Sequence, residues 1–266
     1  MEYIAKGQCI FCKRTKEDTA TFKEKAHTIP ESLGSSNIGV YICDDCNHYF
    51  GQPDPTIYRP VLGVELAVKE VLGVQRALLR RDQNAPRLKS IFFEYWRKKN
   101  TFKFKNRFLY SDNTFLLTFG RQFRRGIYEL FLQEYHRQYE DGLNPKFEKI
   151  RRFSRYNEGD VPLYYVQRRM GLYLMEDGKN GVFVPQFHFS DKLLEDMEQY
   201  GFFQLYLFGQ IYYLEVTDKA AEHRYEYLNK EIHDTDIGGN IYSCITQVEK
   251  ITDMDFLMSK LFGIHC

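Results

Sequence analysis

Cys9-Ile10-Phe11-Cys12 opens a segment that Cys43-Asp44-Asp45-Cys46-Asn47-His48-Tyr49-Phe50-Gly51 closes. These two C-x-x-C turns decide how the N-terminal part of the chain folds. Each turn presents two thiolates on one side of a knuckle, and two of them complete the four-sulfur shell that tetrahedral zinc takes at about 2.3 Å per bond. A shell closed by four cysteines leaves no place for a reactive water. The zinc is therefore structural, and in so short a segment it stands in for a core too small to be stable alone. A thioredoxin-like redox pair is the competing reading of one C-x-x-C, but it needs a βαβ pattern that neither copy has beside it. Cys244 and Cys266 stand apart and read as ordinary thiols.

Outward from the knuckles, Gly51-Gln52-Pro53-Asp54-Pro55 cannot continue a helix or a central strand and reads as a linker. This divides the 266 residues into a head (1–52), a middle region (53–157) and a C-terminal region (158–266). With 43% hydrophobic and 16% aromatic residues, the chain can bury a large core around a mixed helical and antiparallel-sheet body, an α+β arrangement. No repeat and no low-complexity tract is visible. No apolar run of about 18 residues and no signal-peptide pattern appear, so the expectation is a cytosolic protein with reduced thiols and no membrane span.

The net charge of +1 hides an asymmetry. Residues 1–75 carry 8 Lys/Arg and 10 Asp/Glu, residues 76–155 carry 20 and 8, and residues 156–266 carry 9 and 18. A basic stretch of that strength suits a surface that displaces counterions from phosphates. The alternative is a middle region docked on the acidic C-terminal third, within the chain or in a homodimer. Basic and aromatic residues interleave from Tyr95 to Arg107, which makes Arg97, Lys98, Lys99, Lys103, Lys105 and Arg107 candidate nucleic-acid contacts. Arg124 and Arg125 extend the same set, with Arg121, Lys149, Arg151, Arg152 and Arg155 as further members of the path.

Periodicity predicts a core helix over Pro60 to Leu72 and an amphipathic helix over Phe123 to Glu140. It predicts a shorter basic helix over Pro145 to Tyr156 and a helix over Asp191 to Tyr200. A hairpin is predicted at Asn106 to Tyr110 and Thr114 to Phe119 around Ser111-Asp112-Asn113. Strands are predicted at Leu163 to Val166, Gly181 to Phe189, Phe202 to Phe208 and Ile211 to Val216, the last two joined through Gly209-Gln210.

Between the knuckles lie His27-Thr28-Ile29-Pro30, Leu33-Gly34 and Asn37, and Asn47 directly follows the last cysteine. In this order, over roughly residues 9–51, the segment resembles the HNH (ββα-metal) endonucleases, specifically the branch with a C-x-x-C on each side of the catalytic hairpin. The resemblance implies a zinc-stabilised ββα-metal head. It implies His27 as the general base that activates water, Asn37 as the residue fixing the hairpin loop, and Asn47 as ligand of a catalytic Mg²⁺ or Mn²⁺. His48 is a supplementary ligand candidate, together with Glu24 and Glu31. Phosphodiester hydrolysis needs such a base and a hard cation to stabilise charge on the phosphate. The expected activity is that of a metal-dependent endonuclease acting on nucleic acid, DNA foremost.

Many members of that family carry a carboxylate or histidine directly before the base; here the residue is Ala26. The alternative is thus a non-catalytic zinc-ribbon module that binds nucleic acid or protein through a decayed HNH site. For the C-terminal third, homodimerisation, partner docking and ligand sensing remain open, the last by analogy with defence proteins against phage that carry HNH heads.

Overall fold

The computed structural model describes residues 7–53, 62–79, 88–96, 101–168, 185, 187–208, 210–235 and 243–254. Helix α1 (Asp44–Gly51) begins inside the second knuckle, with Cys43 at its N-cap. Between the knuckles the chain turns back on itself at an antiparallel bridge between His27 and Ile38. The Thr28 N–H donates to the Asn37 carbonyl at 3.1 Å and the Gly39 N–H to the Ala26 carbonyl at 2.7 Å. A single 3-10 turn, Glu31–Leu33, occupies the tip and ends at Gly34, whose φ of 96° suits glycine alone.

Helix α2 (Val64–Leu79) buries Val64, Ala67, Val68, Val71 and Leu72, as its apolar pattern predicts. Its predicted start at Pro60 lies outside the described residues. Strands β1 (Phe93–Trp96) and β2 (Thr101–Phe104) pair antiparallel, with Phe93 opposite Phe104.

The predicted hairpin over residues 106–119 is overturned, because helix α3 (Asn113–Tyr139) already starts there. The Asp112 carboxylate accepts the Phe115 N–H at 3.1 Å, so Ser111-Asp112-Asn113 is a helix start and not a turn. Phe115, Phe119 and Phe123 then follow at helical spacing into the core. The aromatic content that suggested strands belongs to a cluster in which Phe108 packs on Phe92, Phe93, Phe104, Phe115 and Phe119.

With 27 residues, α3 is about 40 Å long and reaches every other layer. It crosses α2 at Gly126, where a Cβ would overlap Val68. Helix α4 (Glu148–Tyr156) follows a 3-10 turn at Pro145–Phe147 and packs on another side of α3.

The C-terminal sheet is antiparallel throughout, in the order β4-β5-β3-β6: Phe202–Leu207, Gln210–Glu215, Leu163–Arg168 and Ser243–Gln247. Leu207 pairs with Gln210, so Gln210 belongs to its strand, and Phe208 enters the turn at φ 46°. Helix α5 (Asp191–Tyr200) is capped by Ser190. Helix α6 (Lys219–Thr235), which no pattern flagged, packs Ala220 and Tyr227 against Phe202 and Tyr213. Of the strand predicted over 181–189, residues 181–184 and 186 lie outside the described residues, and 185 and 187–189 are not in a strand.

One cluster of buried apolar side chains runs from Cys9 and Ile29 through Leu130 and Phe147 to Leu214 and Met254. The knuckles and the C-terminal sheet therefore share a continuous core. Among the described residues, no helix is long and apolar enough to cross a membrane.

Candidate functional site

The four cysteine sulfurs lie within 4.8 Å of one another, with Cys12 Sγ 3.6 Å from Cys43 Sγ. Tetrahedral zinc–thiolate bonds of about 2.3 Å place sulfurs about 3.8 Å apart, so the donor set fits one zinc ion with a closed shell. Contacts with the Cys12 and Cys43 sulfurs, reinforced by burial, push the Cys9 and Cys46 thiols up. A cation at the centre is what allows four thiolates to coexist there.

Four thiolates on Zn²⁺ leave two negative charges, and arginines surround them. Arg14 Nε donates to Cys12 Sγ at 3.4 Å and its Nη2 reaches Asp45 at 2.5 Å. From α4, Arg155 Nε donates to Cys46 Sγ at 3.2 Å while its guanidinium lies 3.9 Å from the Tyr49 ring centroid. Arg151, 1% exposed, donates to the Ile10 carbonyl of the first knuckle and to the Gly142 carbonyl, each at 2.6 Å. Such outer groups fix ligand orientation and temper the charge of a metal site.

These contacts correct part of the nucleic-acid path read from the sequence. Arg124 and Arg125 are buried and face the protein. Arg124 pairs with Asp160 at 2.7 Å and donates to the Val161 carbonyl at 3.0 Å. Arg125 donates to the Phe153 and Ser154 carbonyls, to Gln122 Oε1 and to the Tyr49 hydroxyl. A stretch rich in arginine looks the same in sequence whether it faces phosphate or buried carbonyls. Lys103, Lys105 and Arg107 are exposed, with Lys105 Nζ donating to the Ser90 carbonyl at 2.6 Å. Arg97, Lys98 and Lys99 lie outside the described residues.

Of the other candidate residues, His27, Glu31, Asn47 and His48 meet at a cleft of about 470 Å³. His27 enters from the hairpin, Asn47 and His48 from α1, Glu31 from the 3-10 turn. His27 Nδ1 is buried and has no hydrogen-bond partner among the described residues, which leaves Nε2 as the nitrogen able to face the cleft. Glu24, in the segment leading to His27, accepts from Asn47 Nδ2 at 3.3 Å and pairs with His48 Nε2 at 2.8 Å. With Nδ2 so engaged, Asn47 Oδ1 is the atom left for a cation. The Asp44 carboxylate receives the Lys23 and Glu24 N–H groups at 2.9 and 3.0 Å, tying this segment to α1. Ala26 is 3% exposed and offers no ligand.

Asn37 does not line the cleft; its Nδ2 donates to Glu134 Oε1 of α3 at 3.1 Å. The cleft also draws Glu65 and Lys69 from α2 and Glu129 and Leu130 from α3. Sequence reading missed all four, since nothing local marks residues that meet His27 only through packing. Burial, and then the charge of Glu65, hold the Glu129 carboxyl well above the usual carboxylate range.

Residues 9–56 match a family model described as HNH endonuclease. No curated protein and no solved structure matches the chain. The segment carrying the Cys9, Cys12, Cys43 and Cys46 cluster is thus an HNH-type head of the branch with two C-x-x-C knuckles, set on an α+β body. The matched family is one of endonucleases, which at the level of the family points to a nuclease-type hydrolase head and a nucleic-acid substrate.

Proposed function

We propose that the protein is a metal-dependent endonuclease that hydrolyses phosphodiester bonds, with DNA as substrate, His27 as general base and Asn47 as ligand of the catalytic cation. One observation carries this reading: His27 from the hairpin and Asn47 with His48 from α1 open on the same cleft. His27 Nε2 takes the proton of the attacking water, a contribution of about 10²–10⁴-fold for a well-placed base. The imidazole is held by the hairpin pairing on both sides of it, through Thr28 and Gly39.

Asn47 Oδ1 with Glu24 and His48 forms a donor set of the kind that a hard divalent ion accepts, completed by water. A cation held there would supply charge stabilisation for the phosphate and for the leaving oxygen. Glu24 takes over, from two residues upstream, the carboxylate that Ala26 cannot provide. Lys25 and Lys69 line the same cleft and are suited to neighbouring phosphates. Lys103, Lys105 and Arg107 supply a further exposed basic strip for the strand.

The test is incubation of the zinc-loaded protein with supercoiled plasmid, single-stranded DNA and RNA under Mg²⁺, Mn²⁺ and EDTA. Nicking or cutting of the plasmid under Mg²⁺ or Mn²⁺ alone is expected. Salt-dependent binding with no cleavage under any divalent ion would overturn the reading in favour of a binding module.

A further inference from the structure

Helix α3 carries a carboxylate that is fully buried and turned toward the hairpin. Glu134, 0% exposed, accepts at Oε1 from Asn37 Nδ2 at 3.1 Å and from the Thr28 hydroxyl. Its Oε2 accepts from Arg137 Nε at 3.0 Å and Nη2 at 2.6 Å. Thr28 directly follows His27, and Asn37 sits across from it on the returning strand, so one carboxylate oxygen grips both arms of the hairpin. A second contact lies one residue back on α3. A Cβ on Gly39 would stand 2.6 Å from Gln133 Oε1, and Gln133 in turn bonds Glu129, which lines the cleft. Residues 129–137 of α3 thus form the bed on which the hairpin rests.

A two-stranded hairpin is marginal on its own in water. This one has a single bridge, so something outside it must set where His27 points. Hydrogen bonds to a charged acceptor are shorter and roughly twice as strong as neutral ones. Arg137 supplies the countercharge that makes a buried carboxylate tolerable. We infer that Glu134 is a positioning residue: it locks the His27 strand and the Asn37 strand onto α3 and thereby sets His27 against Asn47 across the cleft. The inference rests on the endonuclease reading for its effect on rate, but not for its effect on the hairpin.

The experiment compares full-length, zinc-loaded wild type with Glu134→Leu, Glu134→Gln and Thr28→Val by amide hydrogen exchange and by cleavage kinetics. Glu134→Gln keeps an oxygen for Thr28 and Asn37, and Arg137 is exposed enough to turn toward solvent. In Glu134→Leu the Thr28 and Gly39 amides should exchange at least tenfold faster, while those of Lys13 and Asn47 in the knuckles keep their protection. The kcat should fall tenfold or more with KM unchanged, and Glu134→Gln should recover most of it. Thr28→Val, which removes one donor only, should loosen the same two amides by a smaller factor; it decides the matter if Glu134→Leu does not fold.

Unchanged protection of Thr28 and Gly39, or faster exchange spread equally over hairpin and knuckles, overturns the inference. If wild type cuts and His27→Ala does not, yet Glu134→Leu cuts at the wild-type rate, the positioning role fails while the endonuclease reading stands. If wild type cuts nothing, that reading fails, and the exchange data still decide whether Glu134 holds the hairpin.

Discussion

Arg125→Met removes a guanidinium and keeps a stem of similar bulk, so it separates a structural arginine from a phosphate contact. In the wild type, Arg125 Nε and Nη2 donate to the Phe153 and Ser154 carbonyls at the end of α4. Nη1 donates to Gln122 Oε1 at 2.5 Å, and Nη2 also holds the Tyr49 hydroxyl of α1. With Met, these buried acceptors lose their donor, at about 1–3 kcal/mol for each one left unsatisfied. Removing a desolvated charge offsets part of the loss. The net cost should be about 3–4 kcal/mol. For a chain of this size each kcal/mol moves the melting temperature by about 2–4 °C, so a fall of about 10 °C is expected. The assay is thermal unfolding by circular dichroism, paired with duplex binding over a salt series well below both transitions. A phosphate contact would instead leave the melting temperature alone and reduce the salt slope by about one. An unchanged melting temperature with a shallower slope would refute the assignment of Arg125 to the core.

Glu129→Gln keeps an acceptor for Gln133 and removes a buried acid whose folded-state pKa is raised. A raised folded pKa means that stability is fully present below the unfolded value near 4.5 and is lost as pH rises through the folded value. The variant should therefore melt like wild type at acid pH and increasingly above it as pH climbs, which a melting series across pH checks. Gly126→Ala forces a methyl into Val68 at the α2–α3 crossing, and urea unfolding should show a loss of about 1–3 kcal/mol. Removing zinc with a chelator should abolish cutting and release the hairpin and α1 from protection in hydrogen exchange, with activity returning only when zinc is restored before Mg²⁺.

Features whose deciding contacts are local are legible in the sequence. The Cys9–Cys12 and Cys43–Cys46 spacing marks the zinc shell because a knuckle is a local structure. The helices over 145–156 and 191–200 and the paired strands near 202–216 follow from periodicity and punctuation. The misreadings share one cause, which is that the deciding contact is distant. Ser111-Asp112-Asn113 is as good a cap as it is a turn, and only packing beneath α3 selects the cap. Arg124 and Arg125 look like a basic surface until α4 and Asp160 are placed against them. Nothing local in the sequence marks the role of Glu134, since it meets the hairpin across about 100 residues of chain. The α+β class was legible; the way α3 underlies the head was not.

The most direct measurement is the single-turnover cleavage rate of wild type and His27→Ala under Mg²⁺, with zinc content and melting temperature recorded for both. The expected result is a loss of about 10²–10⁴-fold in rate for His27→Ala at one zinc per chain and an unshifted melting temperature. Equal rates in the two proteins would contradict the assignment of His27 as the base and, with it, the central claim that the knuckles hold a working HNH site.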